Sequence, residues 1–203
     1  MAFLPIYISD IVTPYNIGVN EAADLVIAAN NKSSIVRRAG YYYSAIIGIK
    51  DRNMRANADS FWRIVSFMAA NPKFSVPLHN MQASNVRPEQ IVNVTVLAPV
   101  NAKSLTISSI SERFNPGQYI KFANKPKLYQ VLSHVGNVLS LMQPLSAAVP
   151  ASTRIIFKET GYDGEVFNGI MGEFLNEDFG IPNYKIEDGL TGSIGPLTLR
   201  EVL

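Results

Sequence analysis

The stretch AADLVIAANNKSSIVRRAGYYYSAIIGI, residues 22–49, decides the fold class of this chain. Its two apolar runs are separated by the polar residues 30–34, whose Asn and Ser side chains favour a turn. The second run, residues 36–49, is rich in Tyr and Ile, and aromatic and β-branched side chains of this kind suit a strand. The stretch therefore predicts a β-hairpin within a mainly-β protein.

The segments on either side of this hairpin predict an irregular arm and a single helix. Residues 1–20 contain two prolines and a glycine, so we expect an arm with only short extended pieces. Residues 59–70 are expected to form the helix, capped by Asn57 or Asp59 and ended at Asn71 by the proline that follows it. Apolar residues recur there at helical spacing, and this stripe is Phe61, Ile64, Val65 and Met68.

Short strands are predicted for the middle of the chain, residues 86–158. The extended segments are separated by turns that contain Pro, Gly and Asn. Five or six short strands in one compact stretch indicate a small closed barrel or a compact sandwich. The candidate strands are residues 91–97, 104–110, 118–123, 127–133, 137–142 and 153–158.

The C-terminal segment, residues 159–203, is acidic and contains eight glycines. Its last residues alternate in character, so we expect Leu197, Leu199 and Glu201 on one face of a strand. A strand near a chain end is usually paired in a sheet, and this one is expected to return to the first sheet.

The domain organisation that follows is an insertion. Residues 1–85 and 159–203 are expected to form one discontinuous, β-rich domain that contains the helix. Residues 86–158 are expected to form a second, inserted domain, the small closed barrel or compact sandwich. The fold class is therefore mainly β.

Composition excludes several classes of chemistry. The 203 residues are 47% hydrophobic and 17% charged, a balance that predicts a globular fold rather than disorder. The absence of cysteine excludes disulfides, thiolate nucleophiles and Cys-based metal sites. The sequence shows neither a basic region typical of a secretory signal nor a long apolar run, so no membrane insertion is expected. We expect synthesis in a reducing cytoplasm, with the product kept there or carried in a particle.

Charge is segregated along the chain. Residues 86–158 hold eight basic and two acidic residues, a net charge of +6. Residues 159–203 hold two basic and nine acidic residues, a net charge of −7. Such a pattern is consistent with an ordinary solvated surface. Alternatively, it provides complementary faces, either between parts of one chain or between neighbouring subunits.

Two groups of residues are candidates for function. On the predicted barrel, aromatic and basic side chains alternate in a way that is typical of single-stranded nucleic-acid binding: Tyr119, Lys121, Lys125, Lys127 and Tyr129. The alternative is that the aromatic residues fill the barrel and the lysines point outward. Near the C-terminus five acids lie close together in the sequence: Glu173, Glu177, Asp178, Glu187 and Asp188.

Catalysis is not expected. No phosphate-binding glycine loop, zinc-protease motif or nucleophile elbow occurs, and the two histidines, His79 and His134, are far apart. No metal or other cofactor is therefore expected. A hydrolase that uses Glu173 and Asp178 remains an alternative, because paired carboxylates can hydrolyse glycosidic bonds when they are correctly spaced.

Three segments of the second half carry a resemblance to a known family: FNPGQYIKFANKPKLYQV at 114–131, VFNGIMGEF at 166–174 and GSIGPLTLREVL at 192–203. In the first half the same order of strand, helix and strand is present, ending in FSVPL at 74–78. With these segments the chain resembles the distal tail proteins of siphophages, most of all those of the T-five-like group. Residues 1–20 do not align clearly.

The resemblance implies a more specific fold within the mainly-β class. Residues 1–85 and 159–203 would form a β-sandwich domain with one helix, which builds a ring. Residues 86–158 would form an inserted β-barrel resembling the oligonucleotide/oligosaccharide-binding (OB) fold.

The resemblance also implies a structural, non-enzymatic protein of the virion tail tip. Six copies would form a ring that joins the tail tube protein to the baseplate hub protein, with side-fibre or collar proteins as further partners. The tape measure protein and then the DNA would pass through the lumen. In such a ring the five C-terminal acids are candidates for the lumen or for a seam between subunits: Glu173, Glu177, Asp178, Glu187 and Asp188. Besides this function, the sequence leaves open a carbohydrate- or nucleic-acid-binding module that acts through the barrel.

Overall fold

The computed structural model describes residues 3–27, 33–79, 85–123, 125–177 and 183–202. Within these ranges it contains one α-helix, α1 (Met54–Ala70), and fourteen strands. The strands are β1 (Ile11–Ile27), β2 (Ser33–Ile49), β3 (Arg52–Asn53), β4 (Lys73–His79), β5 (Val92–Asn93), β6 (Ser104–Thr106), β7 (Tyr119–Phe122), β8 (Leu128–Val135), β9 (Val138–Leu141), β10 (Arg154–Ile156), β11 (Gly169–Asn176), β12 (Tyr184–Glu187), β13 (Thr191–Ile194) and β14 (Leu197–Glu201). The predicted mainly-β fold class is confirmed.

The largest sheet joins strands from both ends of the chain. Its five strands run in the order β1-β2-β14-β11-β4, and every neighbouring pair is antiparallel. One face carries the alternating apolar residues of these strands and packs on α1. The alternation predicted for the last strand is confirmed, since Leu197, Leu199 and Glu201 are buried and Arg200 is exposed.

The predicted hairpin is present, but the prediction of an irregular arm over residues 1–20 is wrong from residue 11 onward. β1 begins at Ile11 and pairs with β2 along its length, apart from two irregularities. One irregularity lies between Val12 and Asn16, and Pro14 falls inside it. β1 is also an edge strand. A proline is tolerated where the strand is at an edge or bulged, because no ladder hydrogen bond from its nitrogen is needed there.

The single helix is longer than predicted. It begins after Asn53, whose side-chain oxygen accepts a hydrogen bond of 3.0 Å from the Arg55 N–H. The expectation that Asn57 or Asp59 caps the helix is therefore wrong, since both lie inside it, and Asn57 interrupts the helical dihedral angles with φ −134°. The predicted end at Asn71 is confirmed. The predicted apolar stripe is also confirmed, since its four residues are all buried: Phe61, Ile64, Val65 and Met68.

The middle of the chain forms the predicted barrel. Its six strands run in the order β5-β10-β7-β8-β9-β6, and every neighbouring pair is antiparallel. A bridge between Val94 and Ile107 joins the two edges, because these residues directly follow β5 and β6. The barrel therefore closes with six strands, where the OB fold has five. Its interior is a second apolar core that contains Val92, Ile120 and Phe122.

The two apolar cores lie along the chain as the predicted insertion requires. The core of the largest sheet draws its residues from before residue 79 and after residue 169, with Leu128 as the exception. The barrel core draws its residues from 86 to 157. The division into a domain of residues 1–85 and 159–203 and an inserted domain of residues 86–158 stays a prediction.

A small third sheet was not predicted from the sequence. β3, β13 and β12 form it, with β12 at an edge. β12 and β13 are joined by a tight turn in which Asp188 and Gly189 have φ of 51° and 65°. Positive φ at both central residues is the geometry of the type I′ hairpin turn, which Asp-Gly favours. This dipeptide was therefore a signal that could have revealed the hairpin.

In the described ranges of the chain, no helix combines the length and the apolar character that a membrane span requires.

Gly169 provides a stability test of the largest sheet. A Cβ atom on Gly169 would lie 1.9 Å from the Leu78 carbonyl oxygen in the neighbouring strand β4. Because this obstacle is backbone, it cannot move without disturbing the ladder. We expect Gly169→Ala to lower the free energy of unfolding by about 2 kcal/mol or more, measured by urea denaturation.

Gly161→Ala is the matched control. A Cβ there would meet its nearest atom, a carboxylate oxygen of Glu165, at 3.6 Å, which is ordinary contact. This variant should unfold close to the wild-type midpoint. Equal midpoints for both variants would contradict the packing described for β4 and β11.

Candidate functional site

The predicted binding surface of the barrel lies against the largest sheet. On β7, Ile120 and Phe122 point into the barrel core, as strand alternation predicts. Tyr119 lies on the opposite side, where it packs on the core of the largest sheet. Its ring meets the Tyr43 ring edge to face, with 5.7 Å between centroids. The outer side of β7 is therefore a contact between the barrel and the sheet, which we call the junction.

A buried ion pair lies at the centre of the junction. The Lys127 ammonium, from the barrel, contacts the Glu201 carboxylate, from the last strand of the sheet. The Glu201 side chain is 0% exposed and the Lys127 side chain is 9% exposed. The same ammonium donates a hydrogen bond to the Tyr41 carbonyl and lies 5.7 Å from the centre of the Tyr43 ring.

Backbone groups complete the coordination of Glu201. One carboxylate oxygen accepts the Tyr43 N–H at 3.0 Å, and the other accepts the Leu128 N–H. The Tyr43 hydroxyl in turn donates to the Gln143 side-chain oxygen at 2.8 Å. Each oxygen of the buried carboxylate thus has a donor, which is the condition under which a buried charge is tolerated.

A second ion pair bridges the junction. The Lys121 ammonium lies 2.8 Å from a Glu159 carboxylate oxygen and donates to the Met171 carbonyl at 3.1 Å. The same Glu159 oxygen accepts the Met171 N–H at 2.9 Å. Lys121 is on β7 and Met171 is on β11, so this network also ties the barrel to the sheet.

The prediction of an open barrel surface is therefore wrong for three of its five residues. Lys121, Lys127 and Tyr129 are all buried. The two lysines are used in the junction, and the Tyr129 hydroxyl lies 2.9 Å from the Ser146 hydroxyl. Tyr119 is half-buried in the junction, whereas Tyr129 belongs to the barrel core. Lys125 lies away from both. Neither lysine can neutralise a nucleic-acid phosphate, because each already faces a carboxylate.

The segregated charges meet within the chain. Lys121 and Lys127 belong to the basic segment, and their partners Glu159 and Glu201 belong to the acidic one. The sequence left open whether the opposite charges pair within one chain or between subunits. For these two pairs the structure shows that they meet within the chain.

Burial shifts the ionisation of the junction residues. It raises the pKa of the Glu201 carboxyl, although the adjacent Lys127 ammonium acts in the opposite direction. Burial lowers the pKa of the Lys127 ammonium, and the adjacent Glu201 carboxylate opposes this shift. It also raises the pKa of the Tyr43 hydroxyl, and the nearby Tyr119 and Glu201 add to this effect.

The candidate acids are distributed over two sheets. Glu173 lies half-buried on β11, between the core residues Gly172 and Phe174, so it faces away from the core. Glu177 is exposed, 3.7 Å from Arg200. On the small sheet Glu187 contacts Lys185 at 2.5 Å, and Asp188 lies in the adjoining turn.

These acids do not form one carboxylate cluster in the parts of the chain that the structure describes. No group of three His, Asp or Glu residues there could hold a metal ion. Asp178 lies outside the described residues, so the hydrolase pair of Glu173 and Asp178 stays untested. The placement of these acids in a lumen or a subunit seam also stays a prediction.

Sequence reasoning missed Tyr43 and Gln143 as junction residues. Glu201 was expected on the same face as Leu197 and Leu199, and this alternation is a signal for a buried acid. No comparable signal marks Gln143, because it reaches Tyr43 from 100 residues away. Neither a protein-family model nor a curated protein matches the chain.

The Lys127–Glu201 pair is open to a double-mutant test. Lys127→Met and Glu201→Gln should each lower the free energy of unfolding by about 3–5 kcal/mol, because each leaves one buried charge unpaired. The double variant should lose clearly less than the sum of both, measured by urea denaturation. Strictly additive losses would contradict a direct pairing.

The exposed pair Lys185 and Glu187 supplies the control. Both side chains are more than half exposed and contact each other at 2.5 Å. Because water and salt screen such pairs, Lys185→Met with Glu187→Gln should show no measurable coupling.

The raised pKa of the Tyr43 hydroxyl predicts that the free energy of unfolding decreases at alkaline pH. Its pKa is raised in the folded state, so the folded protein holds this proton after the unfolded chain has lost it. The stabilisation is complete below the unfolded pKa, about 10, and is lost progressively as the pH rises above it. Tyr43→Phe should flatten the decline of the unfolding free energy above that pH. The same slope in both proteins would contradict this assignment.

Proposed function

We propose that this protein is a structural subunit of a long-tailed bacteriophage, a distal tail protein whose copies form a ring at the tail tip. Six copies would join the tail tube protein to the baseplate hub protein, with the tape measure protein and the DNA passing through the lumen. The resemblance in three segments of the second half supports this proposal, and a projecting hairpin in the first half gives it a physical basis.

The observation that carries the proposal is this hairpin. β2 pairs with β14 only over residues 44–47. Toward the tip, residues 33–41 of β2 pair with residues 21–27 of β1, and the described part of the chain supplies no further strand there. We call these two segments the hairpin arm. At about 3.4 Å per residue the arm extends for roughly 25 Å beyond the sheet.

A two-stranded arm of this length points to an external partner. Isolated two-stranded hairpins are at best marginally stable in water, because too little apolar surface is buried. The sequence of the arm includes the apolar runs LVI at 25–27 and IV at 35–36. Packing of the arm on a neighbouring subunit would stabilise its two strands and bury these apolar runs, as expected of a protein that works in an assembly.

Open strand edges support the same proposal. β1 lies at an edge of the largest sheet, and β12 at an edge of the small sheet has all four of its residues exposed. Open edges accept strands from other chains. Two different edges on one subunit suit head-to-tail contacts, which close into a ring when the rotation is right.

An aromatic patch beside β12 adds apolar surface to that edge. Trp62 and Tyr184 are 41% and 44% exposed, and their rings meet edge to face with centroids 5.5 Å apart. Large aromatic side chains of this kind are enriched in protein interfaces.

The acids have a role in such a ring. We propose that Glu173, Glu177, Asp178, Glu187 and Asp188 lie along the lumen or the subunit seam. A carboxylate-lined channel would repel DNA phosphates and so let the genome slide rather than bind. Glu173 favours this arrangement, because it faces away from the apolar core of its own subunit.

The alternative function is a carbohydrate- or nucleic-acid-binding module that acts through the barrel. It depends on Tyr119, Lys121, Phe122, Lys127 and Tyr129. Tyr119 and the two lysines are occupied in the junction, and Phe122 and Tyr129 belong to the barrel core. It therefore has less support than the ring subunit.

Shortening the arm tests the proposed function. In the variant, residues 23–39 are replaced by Asn-Gly, which favours a two-residue hairpin turn. We expect the wild-type protein at high concentration to form six-fold rings in averaged negative-stain images. The variant should keep the thermal transition and circular dichroism of the wild type but remain monomeric.

Two outcomes would count against the proposal. A wild-type chain that stays monomeric at every concentration would contradict self-assembly. Rings formed equally well by the shortened variant would show that the arm does not carry the assembly.

A further inference from the structure

A cleft on the barrel carries positive charge away from the junction. Its volume is about 440 Å³, within the range of small-molecule sites. Two cations, Lys125 and Arg154, contribute to its wall, and its lining contains no acid. The other lining residues are Ala123, Pro150, Ala151, Ser152 and Thr153.

The charge of this cleft is not compensated by a neighbouring carboxylate of the described chain, unlike that of the two junction lysines. Lys121, Lys127 and Arg87 each face a carboxylate within the chain. Within the described residues, neither Lys125 nor Arg154 forms an ion pair. Two cations that share one concave surface without an acid attract anions.

The geometry of the cleft leaves hydrogen-bond donors free for a ligand. The Lys125 ammonium donates to the Ala148 carbonyl at 2.6 Å, which holds the side chain in place and leaves two of its three donors. Ser152 has a positive φ of 66°, an uncommon conformation for a residue other than glycine. The turn that this residue makes is part of the cleft wall.

We infer that the cleft binds a phosphate group. The Arg154 guanidinium matches phosphate oxygens with two parallel donors, and the Lys125 ammonium supplies a second charge. The Ser152 hydroxyl is a further donor beside them. The lining contains no aromatic residue, so stacking on a nucleobase or a sugar does not contribute. Recognition is therefore of the phosphate itself, whether free or part of a polymer.

This site is separate from the proposed ring function. None of its lining residues belongs to the hairpin arm, the open edges or the candidate lumen acids. Lys125 was among the residues predicted to bind nucleic acid, whereas Arg154 was not. Binding can be measured on the single full-length chain, so failure of ring assembly and failure of phosphate binding are distinguishable.

The test is a titration of the full-length protein with inorganic phosphate, followed by two-dimensional amide NMR. Ionic strength is held constant with chloride. We expect saturable shifts confined to the amides of residues 123–125 and 151–154. Lys125→Ala and Arg154→Gln should each weaken binding about tenfold, the loss of one charge-assisted hydrogen bond. The control Lys103→Ala removes an exposed cation outside the lining and should change nothing.

Two further arms identify the source of the phosphate. Glycerol phosphate tests a monoester, and a single-stranded oligonucleotide tests a phosphodiester chain. Saturable binding of any of the three probes that the two cleft variants weaken, and Lys103→Ala does not, supports the inference. Absence of saturation for all three, or an equal loss in the control variant, would overturn it in favour of unspecific attraction to a basic surface.

Discussion

The buried pairing of Lys127 with Glu201 is the constraint on which the rest of the structure depends. A carboxylate that is 0% exposed is tolerated only where an opposite charge and hydrogen-bond donors surround it. The donors come from the first hairpin, through Tyr43, and from the barrel, through Leu128 and Lys127. Since they come from distant parts of the chain, the carboxylate is satisfied only when the barrel and the largest sheet are docked as observed.

This constraint decides which parts of the molecule face outward. Because Lys121 and Lys127 are neutralised inside the chain, these two residues make structural contacts rather than ligand contacts. The hairpin arm, the edge at β12 and the cleft with Lys125 and Arg154 are not part of that contact. We propose the first two as contacts between subunits and the third as a site for a phosphate group.

Local patterns predicted the elements of the fold well, and their errors have local causes. The helix stripe follows from helical periodicity, and the strands of the barrel follow from the turn residues that separate them. The interpretation of residues 1–20 failed because Pro14 and Gly18 usually break strands, whereas here an edge position and a bulge accommodate the proline. The helix begins earlier than expected because Asn53, rather than Asn57 or Asp59, caps it. Which of several possible residues caps a helix depends on the tertiary surroundings of each one.

The sequence by itself determined the mainly-β class, the single helix, the barrel stretch and the opposite charge of its last two segments. It also placed Glu201 on the face of Leu197 and Leu199. Only the tertiary structure decided that Lys127 is the partner of Glu201, because a pattern of charges does not specify which of many cations approaches a given acid. That choice requires the sheet register and the docking of the barrel, and both arise from contacts between residues far apart in the chain.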